Sequence, residues 1–492
     1  MNNRIKIGIY VDVTRGAGGS FQYIQFILDA AYKLTDQYDF KVFYIESEFG
    51  EIIDRNYPMI GKQCINVMRS DIPAYIDSFS LDYVIVPLSL VSCWIGAELY
   101  TPLIGVIHDV NQFYYKDYYE NGVRMTDAYV HLYQKVVRKS IGVFVDSELG
   151  VKELSEAVGG IYSDRMIPLP FRAPDYLDDD MPEEKVDLKN EKYLFYPAQF
   201  WPHKNFTNLI LAIEELKEQG IIVNVLFTGG ESRERDRIIR LVDKLGINEQ
   251  VQFSGRLSDS QMKYIYKHAR GMVFAGYLGP TNIPLYEAMY TGCPMAVTNV
   301  RYMPWQAKEA ALYFDPRYPD SIAEALKRLW EDDELCNELV AKGKKRYEEF
   351  DKEKFNQRFE SSLHDMIHRN TETMKNIELV KGFCDRYKKI VLYGAGEFSC
   401  WMQRMLELEG VTISQVIVTE KNDNTTCGGY QLISISEAEN LDENCGVIIC
   451  ASELLHCDML QALMNRGVKE ENCLKMTFAM YESLIVYVSD RG

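Results

Sequence analysis

An apolar run from Ile5 to Val13 breaks at the glycine-rich RGAGGS, and the chain resumes with Phe21, Ile24, Ile27, Leu28 and Ala31 along one face of a helix spanning Ser20 to Leu34. This is a strand, a glycine loop and a helix. Further apolar runs, FKVFYI, LDYVIVPL, LIGVIHD and IGVFVDS, read as strands separated by polar or helical stretches. Such alternation builds a parallel, doubly wound sheet. The acidic, proline-containing DYLDDDMPEEKVD closes this block, which predicts a first domain over residues 1–187.

The second block repeats the pattern over residues 188–368. Its strands are KYLFYPAQ, IIVNVLFTG, VQFSG, GMVFAG and CPMAVTN, with helices at NFTNLILAIEELKEQ, around Asp236 to Leu245 and from about Ile283. A charged helical run from about Asp320 to His368 ends it. Residues 369–389 read as a helical linker. Residues 390–492 form a third alternating block, with KIVLYGAGEFS, VTISQVIVTE, YQLISI, GVIICA and a final apolar tail. Two doubly wound halves facing across a cleft hold a ligand at the C-terminal ends of their strands.

Composition changes this picture little. With 492 residues the chain exceeds a single hydrophobic core. The balance of 54 Lys and Arg against 72 Asp and Glu, a net charge of -18, argues against nucleic acid as a partner. Eleven cysteines without a C-x-x-C pair signal neither a disulfide framework nor a zinc site, and seven of them fall in the last quarter of the chain. The absence of a signal core or a long apolar span predicts a cytoplasmic protein.

The stretch Leu278 to Asn299, LGPTNIPLYEAMYTGCPMAVTN, carries the most chemistry. Asn282 suits a helix cap and Pro284 a position that needs no N–H, so the first-turn amides form an anion site fit for a diphosphate. Glu287, just over one turn in, has two oxygens that suit a vicinal diol such as a ribose. Upstream, PAQFWPHKNFTNL sets Lys204 before a helix starting at about Asn205, where it can neutralise a phosphate. In the first half, His108 ends a strand at the crevice, and the loop glycines Gly16, Gly18 and Gly19 let backbone approach a charged group. Taken singly, Glu287 reads equally as a surface glutamate, Lys204 as a solvated lysine and His108 as a structural histidine.

Together these motifs resemble the retaining family 4 glycosyltransferases over about Ile5 to His368. The signature of that family has two glutamates seven residues apart and then A-M-x-x-G-x-P; Glu287, Ala288, Met289, Gly292 and Pro294 match it. The resemblance implies two facing Rossmann-like domains (the GT-B arrangement), to which the third alternating block adds a small Rossmann-like α/β domain. It also implies a metal-independent hexosyl transfer in polysaccharide biosynthesis, from a nucleoside-diphosphate sugar to a glycan or lipid-linked glycan. Glu287 is then assigned to the ribose, Thr281, Asn282 and Ile283 to the diphosphate, Lys204 to the leaving group, and His108 to the donor sugar and reaction centre. Arg256 either replaces an arginine the family carries near the strand end or contacts the base. The first glutamate of the signature falls on Gly279, so a variant contact holds the sugar. DSELG at Asp146 resembles a strand-end turn of the family, with Ser147 and Glu148 capping a helix.

In the third block Gly394 and Gly396 follow a strand as in a dinucleotide fingerprint, although Ser399 stands at its third glycine and Glu420 at the ribose position. An unidentified nucleotide or a docking role are both open there, and no other cofactor is expected. The tyrosine-rich stretch with Lys116, Arg124, Lys135, Arg138 and Lys139 reads either as a helix contacting the inner face of a membrane or as a packed helix with a solvated face. Two other functions compete: a catalytically silent subunit that binds a partner enzyme, and a nucleotide-sugar epimerase on the same fold. The sequence carries no signal for oligomeric state.

Overall fold

The structure, a computed structural model, describes residues 4–13, 18–45, 47–65, 71–87, 92–108, 110–114, 122–160, 162–278, 281–420, 426–439 and 441–491. The chain divides into two compact units, residues 1–362 and 363–492.

The first unit holds two sheets. One contains β1 (Lys6–Val11), β2 (Asp39–Tyr44), β3 (Gly61–Cys64), β4 (Tyr83–Pro87), β5 (Leu103–Ile107), β6 (Ser140–Val145) and β7 (Met166–Pro168), in the order β3-β2-β1-β4-β5-β6-β7. All its pairings are parallel. Every residue of β4 and β5 is buried, as expected of central strands covered on both faces. The edge strand β3, GKQC, is mostly exposed and polar; it has no apolar run to read and forms because β2 offers it a ladder.

The second sheet contains β8 (Leu194–Pro197), β9 (Val225–Thr228), β10 (Val251–Gly255), β11 (Gly271–Phe274), β12 (Met295–Thr298) and β13 (Ala311–Phe314), in the order β10-β9-β8-β11-β12-β13, again all parallel. The charged run after it is three helices, Pro319–Glu331, Asp333–Tyr347 and Lys352–Cys384. Asp332 starts the second by accepting a bond from the amide of Leu335 at 2.9 Å.

The helix Lys352–Cys384 contains both the 362/363 division and the boundary expected at 368/369. Part of the stretch read as a linker belongs to the third core, because Ile377, Val380, Phe383 and Cys384 are buried with Ile390 and Leu392. The second unit has β14 (Lys389–Tyr393), β15 (Ile413–Val418), β16 (Thr426–Cys427), β17 (Tyr430–Ser434), β18 (Cys445–Ile449) and β19 (Cys473–Lys475), in the order β16-β17-β15-β14-β18-β19. Only β16 runs antiparallel to its neighbour. The apolar tail is a helix, Phe478–Arg491, which buries Met480, Tyr481, Leu484, Tyr487 and Val488 at helical spacing. The fold expected from the sequence, two doubly wound domains and a third small one, is the fold observed.

Among the described residues no helix is long and apolar enough to cross a membrane. The basic, tyrosine-rich stretch forms the helix Gly122–Lys139, which buries Tyr133, Val136 and Val137. Lys135 pairs with Glu98 at 2.7 Å, and Lys139 donates to the carbonyl of Ala97 at 3.3 Å. Lys116 lies outside the described residues.

Candidate active site

The N-terminal edge of the site begins at Gly18, whose φ of 59° favours glycine and which opens the helix Gly19–Lys33. A side chain at Gly19 would stand 3.4 Å from Cδ1 of Ile283, so Gly19 abuts the start of the helix Ile283–Thr291. Gly16 and Asp109 lie outside the described residues. His108 follows β5; its ring meets Tyr23 edge-on at 4.5 Å and Phe171 at 5.2 Å. Burial lowers its pKa to about 4, so at neutral pH it is an uncharged imidazole.

Asp146 follows β6 and is fully buried. Its Oδ2 accepts from the hydroxyl of Thr281 at 2.8 Å, a bond that ties the two sheets' loops together. Ser147 Oγ donates to Asp146 Oδ1 at 3.1 Å and caps the helix Glu148–Ala157 by accepting from the amide of Gly150 at 3.0 Å. Ser147 thus takes the capping place read from the sequence. A second tie joins Arg301 to Glu153 and, at 3.1 Å, to Oδ1 of Asn111.

In the second sheet, β8 runs into a short turn, Pro202–Lys204, and the helix Phe206–Glu218 starts after Asn205. Asn205 adopts a left-handed φ of 58° and donates its side-chain amide to the carbonyls of Ala275 at 3.2 Å and Pro316 at 2.8 Å. This pins the turn to the end of β11. Lys204 Nζ sits 4.9 Å from the centre of the Phe274 ring, and its Cδ is 3.5 Å from where Gly276 would carry a side chain. The lysine therefore lies along the strand end that leads to Thr281. His203 beside it is driven down to a pKa of about 3, first by burial and then by the Lys204 charge. Arg256, after β10, is exposed, and its Nε is 3.1 Å from the missing side chain of Gly230. The amide of Gly230 donates to Gln199 Oε1 at 3.3 Å, so the ends of β8, β9 and β10 meet there.

Asn282 occupies the N-cap of the helix Ile283–Thr291, with Pro284 in its first turn. Its side chain caps nothing, in contrast to the expectation from its residue type. The buried Gln306 clamps the Asn282 backbone instead, accepting from its amide at 2.9 Å and donating to its carbonyl at 2.7 Å. The Asn282 side-chain amide is drawn off to Met303 Sδ at 3.5 Å. Glu287 is buried, and its two oxygens accept from the hydroxyls of Tyr176 at 2.6 Å and Tyr266 at 2.5 Å. Burial raises its pKa and the two hydroxyls oppose that rise. Gly279 lies outside the described residues.

Gly19 thus stands against Ile283, Thr281 is held by Asp146 at the end of β6, His108 packs on Tyr23 of the helix that Gly19 begins, and Lys204 and Arg256 lie at strand ends of the second sheet. Sequence reasoning missed Tyr176, Tyr266 and Gln306, which act through residues 111, 21 and 24 positions away. Asp146 carried the only readable signal, an acid directly after an apolar strand.

Residues 178–346 match the family described as Glycosyl transferases group 1. Over 161 residues the chain is 26% identical to O-antigen chain mannosyltransferase B of Escherichia coli, covering 32% of this chain and 42% of that protein. Over 223 residues it is 23% identical to O-antigen chain mannosyltransferase RfbU of Salmonella typhimurium, covering 45% and 59%. The chain spans about half the length of the curated relatives it matches. Among solved structures, sucrose-phosphate synthase from Thermosynechococcus elongatus superposes with a TM-score of 0.61 at 16% identity, over 74% of this chain and 100% of that one. Anabaena Alr3699/HepE in complex with UDP-glucose gives 0.60 at 15%, over the same shares. The fold of the first two sheets is therefore the GT-B arrangement of glycosyltransferases.

Proposed function

We propose that this protein is a retaining hexosyltransferase that moves a sugar from a nucleoside-diphosphate sugar to a glycan or lipid-linked glycan, without a metal ion. The observation that carries the proposal is Lys204, whose side chain lies against Phe274 and Gly276 at the end of β11, the strand that precedes the helix Ile283–Thr291, inside the segment that matches a glycosyltransferase family. A cation at the end of the strand that leads into a helix N-terminus suits the charge that develops on a departing diphosphate. In the transfer, the bond from the acceptor oxygen to the anomeric carbon forms as the bond from that carbon to the phosphate oxygen breaks. The acceptor proton passes to the leaving diphosphate on the same face. His108, neutral at pH 7, orients a sugar hydroxyl by hydrogen bonding. Glu287 holds the ribose alongside its tyrosines, Arg256 meets the diphosphate or the base, and a variant contact to the sugar replaces the glutamate that Gly279 lacks.

The names of the relatives favour mannose as the sugar and an O-antigen type of glycan as the acceptor. The bound ligands of HepE favour a nucleotide sugar as the donor class. A second reading, a catalytically silent nucleotide-binding subunit, draws on Gly279 and on the tyrosines that already occupy Glu287. Turnover of mannosyl and glucosyl donors with water or an acceptor separates the two: hydrolysis of no donor leaves the silent subunit standing. Glu287→Gln is expected to weaken the free nucleoside diphosphate as well as the donor, by calorimetry. Unchanged diphosphate affinity would remove Glu287 from the ribose.

A further inference from the structure

The third sheet carries a cavity outside the candidate site described above. Its volume is about 600 Å³, and it opens at the C-terminal ends of β14, β15 and β18. The strand order reverses between β14 and β18, the place where doubly wound sheets take ligands.

One end of the cavity is backbone. The amides of Ala395, Gly396, Glu397 and Phe398 make no hydrogen bond within the described residues, and Gly396 caps the 12-residue helix Glu397–Leu408. Gly394 makes this exposure feasible: its φ is +121°, and a side chain there would stand 2.4 Å from the carbonyl of Cys450. At Gly396 a side chain would meet nothing within 4 Å, because the cavity lies over it. Ser399, at the third fingerprint position, is fully buried and accepts from Gln403 at 3.1 Å, so it packs the helix onto the sheet. The opposite wall, Val418, Leu455 and Met459, is apolar, and Thr419 directly follows β15 with Glu420 exposed next to it.

Charge narrows the ligand. Among the described residues lining the cavity there is no lysine or arginine, while Glu397 and Asp458 are acidic. A terminal phosphomonoester carries nearly two charges at neutral pH, whereas a phosphate esterified on both sides carries one. Helix-end amides alone offset the second far better than the first.

We propose that the third domain binds a nucleoside diphosphate whose terminal phosphate is esterified. The diphosphate lies on the amides of Ala395 to Phe398, the ribose at Thr419 and Glu420, and the remaining half against Leu455 and Met459. Two sources share this chemistry, a dinucleotide and a nucleotide sugar.

The test is calorimetric titration of the full chain with NAD, UDP-glucose, GDP-mannose and the free diphosphates UDP and GDP, in the wild type and in Gly396→Asp. The φ of -88° at Gly396 suits an ordinary residue, and aspartate is a good N-cap, so the variant keeps the helix while its carboxylate occupies the anion place. The expected result is an at least tenfold loss of one esterified ligand in Gly396→Asp, with donor turnover unchanged. Loss of NAD identifies a dinucleotide site; loss of one of two bound equivalents of a nucleotide sugar identifies that source. Asp458→Lys, an exposed change at the rim, is expected to shift preference toward the free diphosphate. Binding of every esterified probe that is absent or indifferent to Gly396→Asp overturns the proposal, as does tighter binding of UDP or GDP at the Gly396-dependent site. A Gly396-dependent site in a protein that turns over no donor would sink only the transferase reading.

Discussion

In the donor half, β8 and β11 stand where the strand order reverses; in the third domain β14 and β18 hold the same places. After β8 the chain turns through PAQFWPHKN and lays a lysine along the neighbouring strand end. After β14 it reads GAGEFS and offers amides without a cation. The same topology thus presents two edges of opposite electrostatic character. A leaving group gains charge during a reaction and is served by a cation, whereas a ligand that is only held intact needs no more than the helix end. Strand order fixes where a ligand goes, and the few residues after each strand decide what is done with it.

The largest expected effect breaks this contrast on the donor side. Lys204→Ala is expected to lower kcat/KM by about 2–4 kcal/mol of transition-state stabilisation, measured with a chelator present, and to leave ligand binding in the third domain unchanged. A wild-type rate would remove the lysine from the chemistry.

On the third-domain side, Gly394→Ala collides with the Cys450 carbonyl at a positive φ and is expected to destabilise that unit by about 2–3 kcal/mol. Gly396→Ala, which meets open space, should shift stability by less than about 1 kcal/mol. Denaturant unfolding of the two variants compares them directly, and equal midpoints would mean that the loop is looser than its packing indicates.

His108 sharpens the comparison by pH. Its folded pKa of about 4 lies below the ordinary 6.5, so between those values the unfolded chain binds the extra proton. Stability from the neutral imidazole is full above about pH 6.5 and is lost as pH falls toward 4, by about 3 kcal/mol in all. His108→Phe, which keeps a ring against Tyr23 and Phe171, is expected to flatten that part of the stability profile. Parallel profiles for the variant and the wild type would show that the imidazole titrates freely.

The smallest effect concerns the tie between the two sheets of the first unit. Thr281→Val removes the hydroxyl that Asp146 accepts and is expected to lower the thermal midpoint by an amount worth about 1–2 kcal/mol. An unchanged midpoint would mean that the other partners of Asp146 carry the contact.

Much of this was legible in the chain. Apolar runs such as YVIVP and LIGVI are read directly as central strands because burial on both faces leaves no polar alternation. The places of Ser147 and Asn282 at helix starts followed from residue type. The side-chain bond of Asn282 did not, since a buried glutamine 24 residues on outcompetes it for the backbone. Likewise the linker expected at 369–389 is in part core, because Ile377, Val380 and Phe383 find partners only once the third sheet exists.

By itself the sequence determined the three alternating blocks and the candidate residues His108 and Lys204, which follow β5 and β8, and Glu287 in the helix Ile283–Thr291. Those follow from hydrophobic periodicity and turn chemistry, which act over a few neighbouring residues. Tertiary structure alone decided that Glu287 is shared between Tyr176 and Tyr266, that Asp146 holds Thr281, and that the third glycine loop opens onto a cavity without a cation. Each of these depends on groups from separate elements meeting at hydrogen-bond distance in a buried place. Local pattern carries no record of such meetings, because folding rather than sequence spacing sets the distances.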